Sequence, residues 1–417
     1  MNYRLIIYIF IIIFSLCSCS NQKHKQAYIL KNKSVFLGED YIGYGGFLAF
    51  YQDNIVGVDF SPSMQPFFRL NLNGTSQPLF HFGNRGQGPN DFIMPYSIQH
   101  LYNQTIGVFD VMSRNFCELR IPKENEGLII DKKIKIDARL SRVIKTVFNQ
   151  YIGLSFDDGM FMLADSTGKL INTFFEYPYR DTNERLCAIR SFAYQGTLTV
   201  NPSKNKLVYS SYHGEIIHFY EIKNNSIHPI TIIDNEYPLY KVMPNENDGV
   251  MNDLNGKLGY IATYATDQYV YAIFSRETLH EHGIKVNLEG KILRIFNWNG
   301  VLVKEYELDL SCGFLCVSDD DDKIWTVVSD PDITLALFEL ENTIEKKTVE
   351  DIQKNNKIEN PLMNEGELYK SLPDFNAEII SDSLFLDYDT AKYVPKISID
   401  TLADKTIRYN VEVMFKE

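Results

Sequence analysis

The chain has 417 residues, 45% of them hydrophobic and 13% aromatic, with 26 Tyr and 27 Phe but only two Trp. That content calls for a large folded core. The net charge of −13, with no basic block, excludes nucleic acid as a partner, because lysine and arginine must replace the counterions of a phosphate backbone.

The N-terminus reads MNYRLIIYIFIIIFSLCSCS, with Arg4 ahead of an apolar run from Leu5 to Leu16. That run is too short for a membrane-spanning helix, which takes about 20 residues, and it suits the core of a secretory signal. It ends in Leu16-Cys17-Ser18-Cys19, which resembles the bacterial lipobox. The resemblance implies cleavage after Ser18 and acylation of Cys19. Cleavage as an ordinary signal peptide near Cys17 to Ser20 is the alternative. A multiply acylated cysteine holds a protein firmly at a membrane, whereas one acyl chain does so marginally. Ser20 rather than Asp follows Cys19, which favours the outer membrane and leaves the leaflet open. The expected order is a signal peptide over 1–18 and an anchor linker over 19–33.

From there a module recurs. Instances begin at NIVGVDF (Asn54), TIGVFDV (Thr105), YIGLSFD (Tyr151), KLVYSSY (Lys206), YVYAIFS (Tyr269) and KIWTVVS (Lys323), spaced 51, 46, 55, 63 and 54 residues apart. Tight polar turns follow, among them Asn73-Gly74, Thr167-Gly168, Asn224-Asn225 and Asn299-Gly300. Asn-Gly between apolar runs predicts a type I′ hairpin, with positive φ at both central residues. Upstream of each instance lies another short strand: GFLAFYQ, YSIQHLY, RVIKTVF, GTLTVNP, GYIATYA and GFLCVSD. Each unit therefore supplies about four strands, the content of a propeller blade that buries its faces only against its neighbours. Six units predict an all-β fold, a six-bladed β-propeller over 34–342. The strand at Ser34 to Glu39 is expected to pair with the last blade, closing the ring and removing a sheet edge.

Between the first two units lies FGNRGQGPNDFIMP, Phe82 to Pro95. Here the chain must cross from the rim of one blade to the axis of the next. Gly83, Gly86 and Gly88 allow positive φ without a Cβ penalty, and Pro89 and Pro95 fix turns. Phe82 and Phe92 are expected to wedge between blades. With IGVFD and Arg114 downstream, the segment resembles an NHL-type propeller repeat. The wider resemblance, supported by ATDQYVYAIFSRE and KILRIFNWNGVLVKEYELD, is to the TolB-like six-bladed propeller lipoproteins of Gram-negative gut bacteria, over about residues 30 to 342. It implies the fold and an envelope location, and brings no catalytic residues to transfer. The chain departs from the pattern in carrying the full Gly-rich loop once, and in insertions at 234–257 and 275–289.

Beyond the ring, a charged linker (343–376) leads to a C-terminal β extension (377–417) with three strand-like runs, EIISDSLFL, VPKISID and IRYNVEVMF. Ser383, Thr390 and Thr401 each follow Asp and precede an apolar residue, resembling the O-glycosylation motif of such bacteria.

Chemistry is sparse. If Cys312 and Cys316 share one strand they lie about 13 Å apart at 3.3 Å per residue, too far for a disulfide. With Cys117 and Cys187 they read as small buried hydrophobes. His280-Glu281-His282 suggests at most a weak metal site, and Asp319–Asp322 reads as a solvated hairpin tip lacking the spacing of a calcium loop. No nucleophile elbow, phosphate loop or dinucleotide fingerprint is present, so no cofactor, metal site or catalytic residue is assigned. The expectation is a non-catalytic binding or scaffolding propeller, membrane-bound through its lipid, with an envelope protein or glycan as ligand. Tyr237, Tyr240, Asn245, Asn247, Asp248 and Asn252 in the first insertion are the candidate contacts. A calcium-dependent hydrolase or lyase in the central channel is the alternative, resting on fold analogy.

Overall fold

Strand pairing in the computed structural model divides the chain into six four-stranded antiparallel blades. The described residues are 28–35, 42–61, 65–73, 79–123, 126–157, 159–178, 187–243, 249–283, 288–329 and 333–340, with backbone alone for 34–35, 187–188, 393–401 and 407–415. The innermost strands of blades 1 to 6 are Gly45–Tyr51, Pro95–Tyr102, Leu140–Lys145, Gly196–Val200, Tyr260–Ala265 and Leu315–Val317. Each touches the next around a closed ring. Successive strands then step outward, in blade 2 through Thr105–Asp110 and Asn115–Arg120 to Ile129–Lys135.

Six apolar clusters fill the gaps between blades. Alternation along a strand sends successive side chains to opposite faces, and here each face meets a different neighbour. Ile55 packs toward blade 6 with Trp325 and Leu335, while Val56 and Val58 pack toward blade 2 with Ile106 and Val108. Phe109 and Phe116 turn the other way, onto Leu140 and Tyr151 of blade 3. Both faces of the second strands are thus buried, which explains why they read as unbroken apolar runs, while the outermost strands such as Ile129–Lys135 stay partly exposed.

Closure is made by the N-terminal segment. Ser34–Val35 pairs antiparallel with Thr334–Glu339, Ser34 opposite Leu337, and the Lys33 amide donates to the Leu337 carbonyl at 2.7 Å. Residues 28–30 do not behave as linker. Tyr28–Leu30 adds a fifth, parallel strand to the edge of blade 5, Tyr28 opposite Tyr306. Leu30 is buried beside Leu308, and Lys304 lies 3.8 Å from the Tyr28 ring centre. An apolar triplet beside an open sheet edge explains the departure.

The hairpins also differ from expectation. At Thr167-Gly168 and Asn299-Gly300 only the glycine has positive φ, +89° and +74°. In each, the Gly amide donates to the carbonyl three residues back, Asp165 or Asn297. These are three-residue loops ending in a bulge, not type I′ turns. In the tail, the backbone of Tyr393–Thr401 pairs with Ile407–Phe415. The signal segment, Cys19, the linker 343–376, the run EIISDSLFL, Ser383 and Thr390 lie outside the described residues. Of Thr401 only the backbone is described.

Because strands alternate in direction, first-to-second and third-to-fourth turns share one face, here the lower. Second-to-third turns and crossings between blades share the upper face.

Candidate functional site

The crossing from blade 1 to blade 2 is a built joint. Phe92 is 1% exposed and packs edge-on against Phe67 at 4.9 Å, with Phe82 behind at 5.5 Å. Gly83 and Gly86 have φ of +81° and +154°. Gly88 does not; its position is set by crowding, since a Cβ there would lie 2.6 Å from the Asp91 carboxylate, which accepts the Gly88 amide at 2.9 Å. Two buried aspartates hold the chain ends. Asp110 accepts the amides of Ile93 (2.6 Å), Met94 (3.0 Å) and Ser113 (2.9 Å). Asp59, at the same place in blade 1, accepts Gly43 (2.8 Å), Tyr44 (3.0 Å) and Ser61 (2.8 Å). Burial alone would raise the Asp59 pKa. His81, 3.8 Å away, and the three amides outweigh burial and hold it below the ordinary carboxylate value. The Asp that ends this repeat's strand is therefore a structural staple.

Farther round the upper face, three insertions join into one cap over blades 3 to 5. The helix Cys187–Ala193 leads into Tyr194, whose ring meets Tyr240 edge-on at 6.3 Å. Tyr240–Val242 and Val250–Asn252 form a two-stranded hairpin in the first insertion. The helical turn Leu279–His282 closes the other side, with the His280 amide on the Leu254 carbonyl (2.9 Å) and the Leu279 amide on that of Gly256 (2.9 Å). Of the candidate contacts, Tyr240 and Asn252 help seat the hairpin: Asn252 Nδ2 donates to His213 Nε2 at 3.2 Å. Desolvation pushes the His213 pKa down to about 4, so the ring is neutral and can accept that bond. Tyr237 is 40% exposed. Asn245, Asn247 and Asp248 lie outside the described residues. The helical turn also separates the two histidines, leaving His280 exposed while His282 is buried with Nδ1 3.2 Å from Glu277. They do not form a strand-like pair.

The axis holds a cavity of about 190 Å³ lined from all six blades. Near its upper end lie Phe47, Ser97, Arg142, Thr197, Ala262 and Phe314; at its lower end lie His100, Asn201 and Asp319. Threonine hydroxyls form a belt between, Thr263 meeting Thr197 at 2.6 Å and Thr199 at 2.9 Å. Gln99 bridges blades 2 and 3 through both backbone groups of Lys145. Arg142 is 3% exposed. Its guanidinium lies 3.7 Å from the Tyr96 ring centre and 4.6 Å from that of Phe47. Nη2 donates to Tyr212 Oη at 2.7 Å and Nη1 to the Ser141 carbonyl at 3.1 Å. Burial opposes the charge, but Tyr212 and Tyr96 outweigh it and the guanidinium stays cationic. At the lower mouth, burial raises the Asp319 pKa against the pull of His100, and lowers that of His100. Asp321 is not freely solvated: it accepts the Tyr271 hydroxyl at 2.9 Å.

Asp319 is the one carboxylate among the described lining residues. No group of three or more His, Cys, Asp or Glu able to hold a metal occurs among the described residues. Cys117, Cys312 and Cys316 are buried free thiols, and desolvation raises all three, Cys117 and Cys312 to about 12. They are not nucleophiles at neutral pH. Arg142 drew no notice in the sequence, where it sits inside the apolar run RVIKTVF. Aligning the six inner strands would have exposed it, because the other blades place Phe47, Ser97, Thr197, Ala262 and Phe314 at that level.

Ring, staples and closing strand define a six-bladed propeller. The TolB-like 6-blade propeller-like family model matches residues 23–320, and the chain belongs to that family. None of the curated proteins matches. Among solved structures the chain is similar to a protein from Bacteroides fragilis described as exported, at 12% identity, 75% of this chain, 93% of that one and a TM-score of 0.45. It is also similar to a luciferin-regenerating enzyme (9%, 74% and 94%, TM-score 0.41) and to regucalcin, a calcium-binding protein from Agrobacterium tumefaciens (7%, 76% and 97%, TM-score 0.41).

Proposed function

We propose that this is a lipid-anchored envelope protein whose propeller binds a protein partner or glycan through its upper face and does not transform it. The observation that carries the reading is the joined cap. Three insertions, separate in sequence, pack into one continuous surface on a single face, while the lower-face turns of blades 3 to 5 are short. Insertions that recur on one face of a repeat fold are a mark of binding surfaces. Tyr237 offers that surface an exposed aromatic. Acylated Cys19 would tether the ring through the short segment before Tyr28, and among the described residues no helix is long and apolar enough to cross a membrane. The calcium-dependent alternative needs several oxygen ligands, and the described channel wall supplies one carboxylate, at the end opposite a buried cation.

Crosslinking in whole cells followed by affinity capture tests the reading. The intact protein should repeatedly retain the same envelope component, and a variant with residues 239–253 replaced by a short Asn-Gly turn should lose it. Labelling with an alkynyl fatty acid should disappear in Cys19→Ala. Equal capture by the loop-replaced variant, or a melting temperature that collapses on adding a calcium chelator, would overturn the binding assignment.

A further inference from the structure

Among the described residues three arginines are buried, and two have carboxylate partners. Arg294 bonds Glu215 at 2.9 Å and Glu305 at 2.8 Å, and Arg190 bonds Glu176 at 2.7 Å. Arg142 is the most buried of the three, and its described partners are neutral: the phenols of Tyr212 and Tyr96, one carbonyl and two aromatic rings. Its Nε has no hydrogen-bond partner among the described residues. A buried charge is ordinarily paired, because desolvation costs far more than neutral hydrogen bonds return. Here the unpaired cation sits in the wall of a cavity.

We infer that the central channel is a binding site for a small carboxylate, with Arg142 as the counter-charge. The rest of the wall fixes the class of occupant. About 190 Å³ falls below the roughly 300–1,000 Å³ of pockets for drug-sized molecules, which suits a single sugar-sized acid. Thr197, Thr199 and Thr263 place hydroxyls at mid-channel, and Phe47 and Phe314, packed edge-to-face at 4.7 Å, give an apolar patch near the upper end. A hydroxylated ring carrying one carboxylate satisfies all three features. Asp319 at the lower end repels a second negative charge there, so a monoanion is favoured over a dianion. The guanidinium is pre-oriented by Tyr96, Phe47 and Tyr212, and binding costs it little freedom.

This inference goes beyond the partner-binding reading and is independent of it: capture reads the upper face, and the following measurement reads the channel. D-glucuronate is titrated into the full-length mature protein, with D-glucose as the neutral analogue of the same shape, and melting temperature is followed. The acid should raise it saturably, by about 5 °C at a hundredfold excess over Kd, and glucose should leave it unchanged. Arg142→Met should abolish the shift, and Arg142→Lys should retain part of it, since lysine keeps the charge but loses the planar fork. Equal shifts from acid and sugar, an undiminished shift in Arg142→Met, or no shift from glucuronate would each overturn the assignment. Should Arg142→Met fail to fold, the contrast between acid and sugar on the wild-type chain and on Arg142→Lys decides it.

Discussion

Blades 1 and 2 are entered through one kind of joint, blades 4 and 5 through another. At the end of the second strand, the first pair carries Asp59 and Asp110, each accepting three backbone amides, two of them from the segment entering its own blade. Blades 4 and 5 carry Ser211 and Ser275 at that place. Each accepts one amide, from His213 or Glu277, at 3.3 Å. A carboxylate has about four lone-pair sites and a hydroxyl two, so only the former can pin both the incoming chain and the turn that follows. Blades with aspartate have fixed entries. Blades 4 and 5 are also the ones whose own upper-face connections grew into the cap, whereas blade 3, with Ser155 accepting one amide from Asp157 at that place, keeps a short entry and a short turn. Loss of the carboxylate pin therefore permits an insertion without requiring one.

The contrast makes its largest demand on Asp59. Asp59→Ala leaves three amides without acceptors at a 0% exposed site. At about 1–3 kcal/mol for each buried unsatisfied group, partly relieved by water, the loss should be about 4 kcal/mol. For a ring of this size that lowers the melting temperature by about 7 °C. Asp110→Ala should match it within error. Equal, small losses at both aspartates would mean that the amides find other partners, and the two joints would not differ in kind.

Acid should find the cap before it finds the staples. His213 has its folded-state pKa held near 4 by burial, against 6.5 for a free histidine. Between those values the unfolded chain binds a proton that the folded chain resists, so stability falls as pH drops from 6.5 toward 4 and levels off below. Asp59 works in a separate window: its pKa lies below 3.8, so its contribution is intact above that and is lost only in stronger acid. His213→Gln, which can keep an acceptor for Asn252, should flatten the upper limb of a melting-temperature profile and leave the lower one. A profile unchanged by that substitution would remove His213 from the account.

What the sequence showed and hid follows the same division. Six modules were legible because every blade repeats one apolar second strand, from Asn54 to Lys323, and the interblade phenylalanines stood out beside their glycines. Tyr28–Leu30 was hidden because a parallel edge strand has no partner near it in sequence; its mate is Tyr306–Leu308. The turn at Leu279–His282 was announced by Thr278 and Glu281, a capping box with the Thr278 hydroxyl accepting the Glu281 amide at 3.1 Å, but His280 and His282 stood out in the sequence only as a weak metal site, and the cap was passed over. Arg142 was hidden for a different reason. A single charge in an apolar strand reads as solvent-facing, and only the closing of the ring makes that position interior.

Gly83 sharpens the comparison from within the fixed entry. Its φ of +81° and a Cβ that would fall 3.0 Å from the Phe67 ring make alanine unfavourable twice over. Gly83→Ala should cost about 1–2 kcal/mol from the left-handed backbone alone, below Asp59→Ala but readily measured by urea denaturation. Gly127, for which an added Cβ meets nothing within 4 Å, is the matched control and should tolerate alanine. Loss at both positions alike would show that the joint is not locally strained.

The smallest effect belongs to Ser211. It is 0% exposed and its hydroxyl accepts one long bond from the His213 amide at 3.3 Å, with another contact of 3.5 Å to the Gln195 carbonyl. Removing a single weak neutral acceptor costs about 1 kcal/mol, so Ser211→Ala should lower the melting temperature by about 2 °C. Ser211→Asp is the more telling change. If the serine joints differ from the aspartate joints only by lacking a pin, an added carboxylate has no second pair of amides to meet, because the chain entering blade 4 comes through the helix Cys187–Ala193. Burying it unpaired should then destabilise by more than the alanine does. A stabilising Ser211→Asp would instead show that the entry to blade 4 retains the amides of the fixed joint, and that the insertions grew without giving it up.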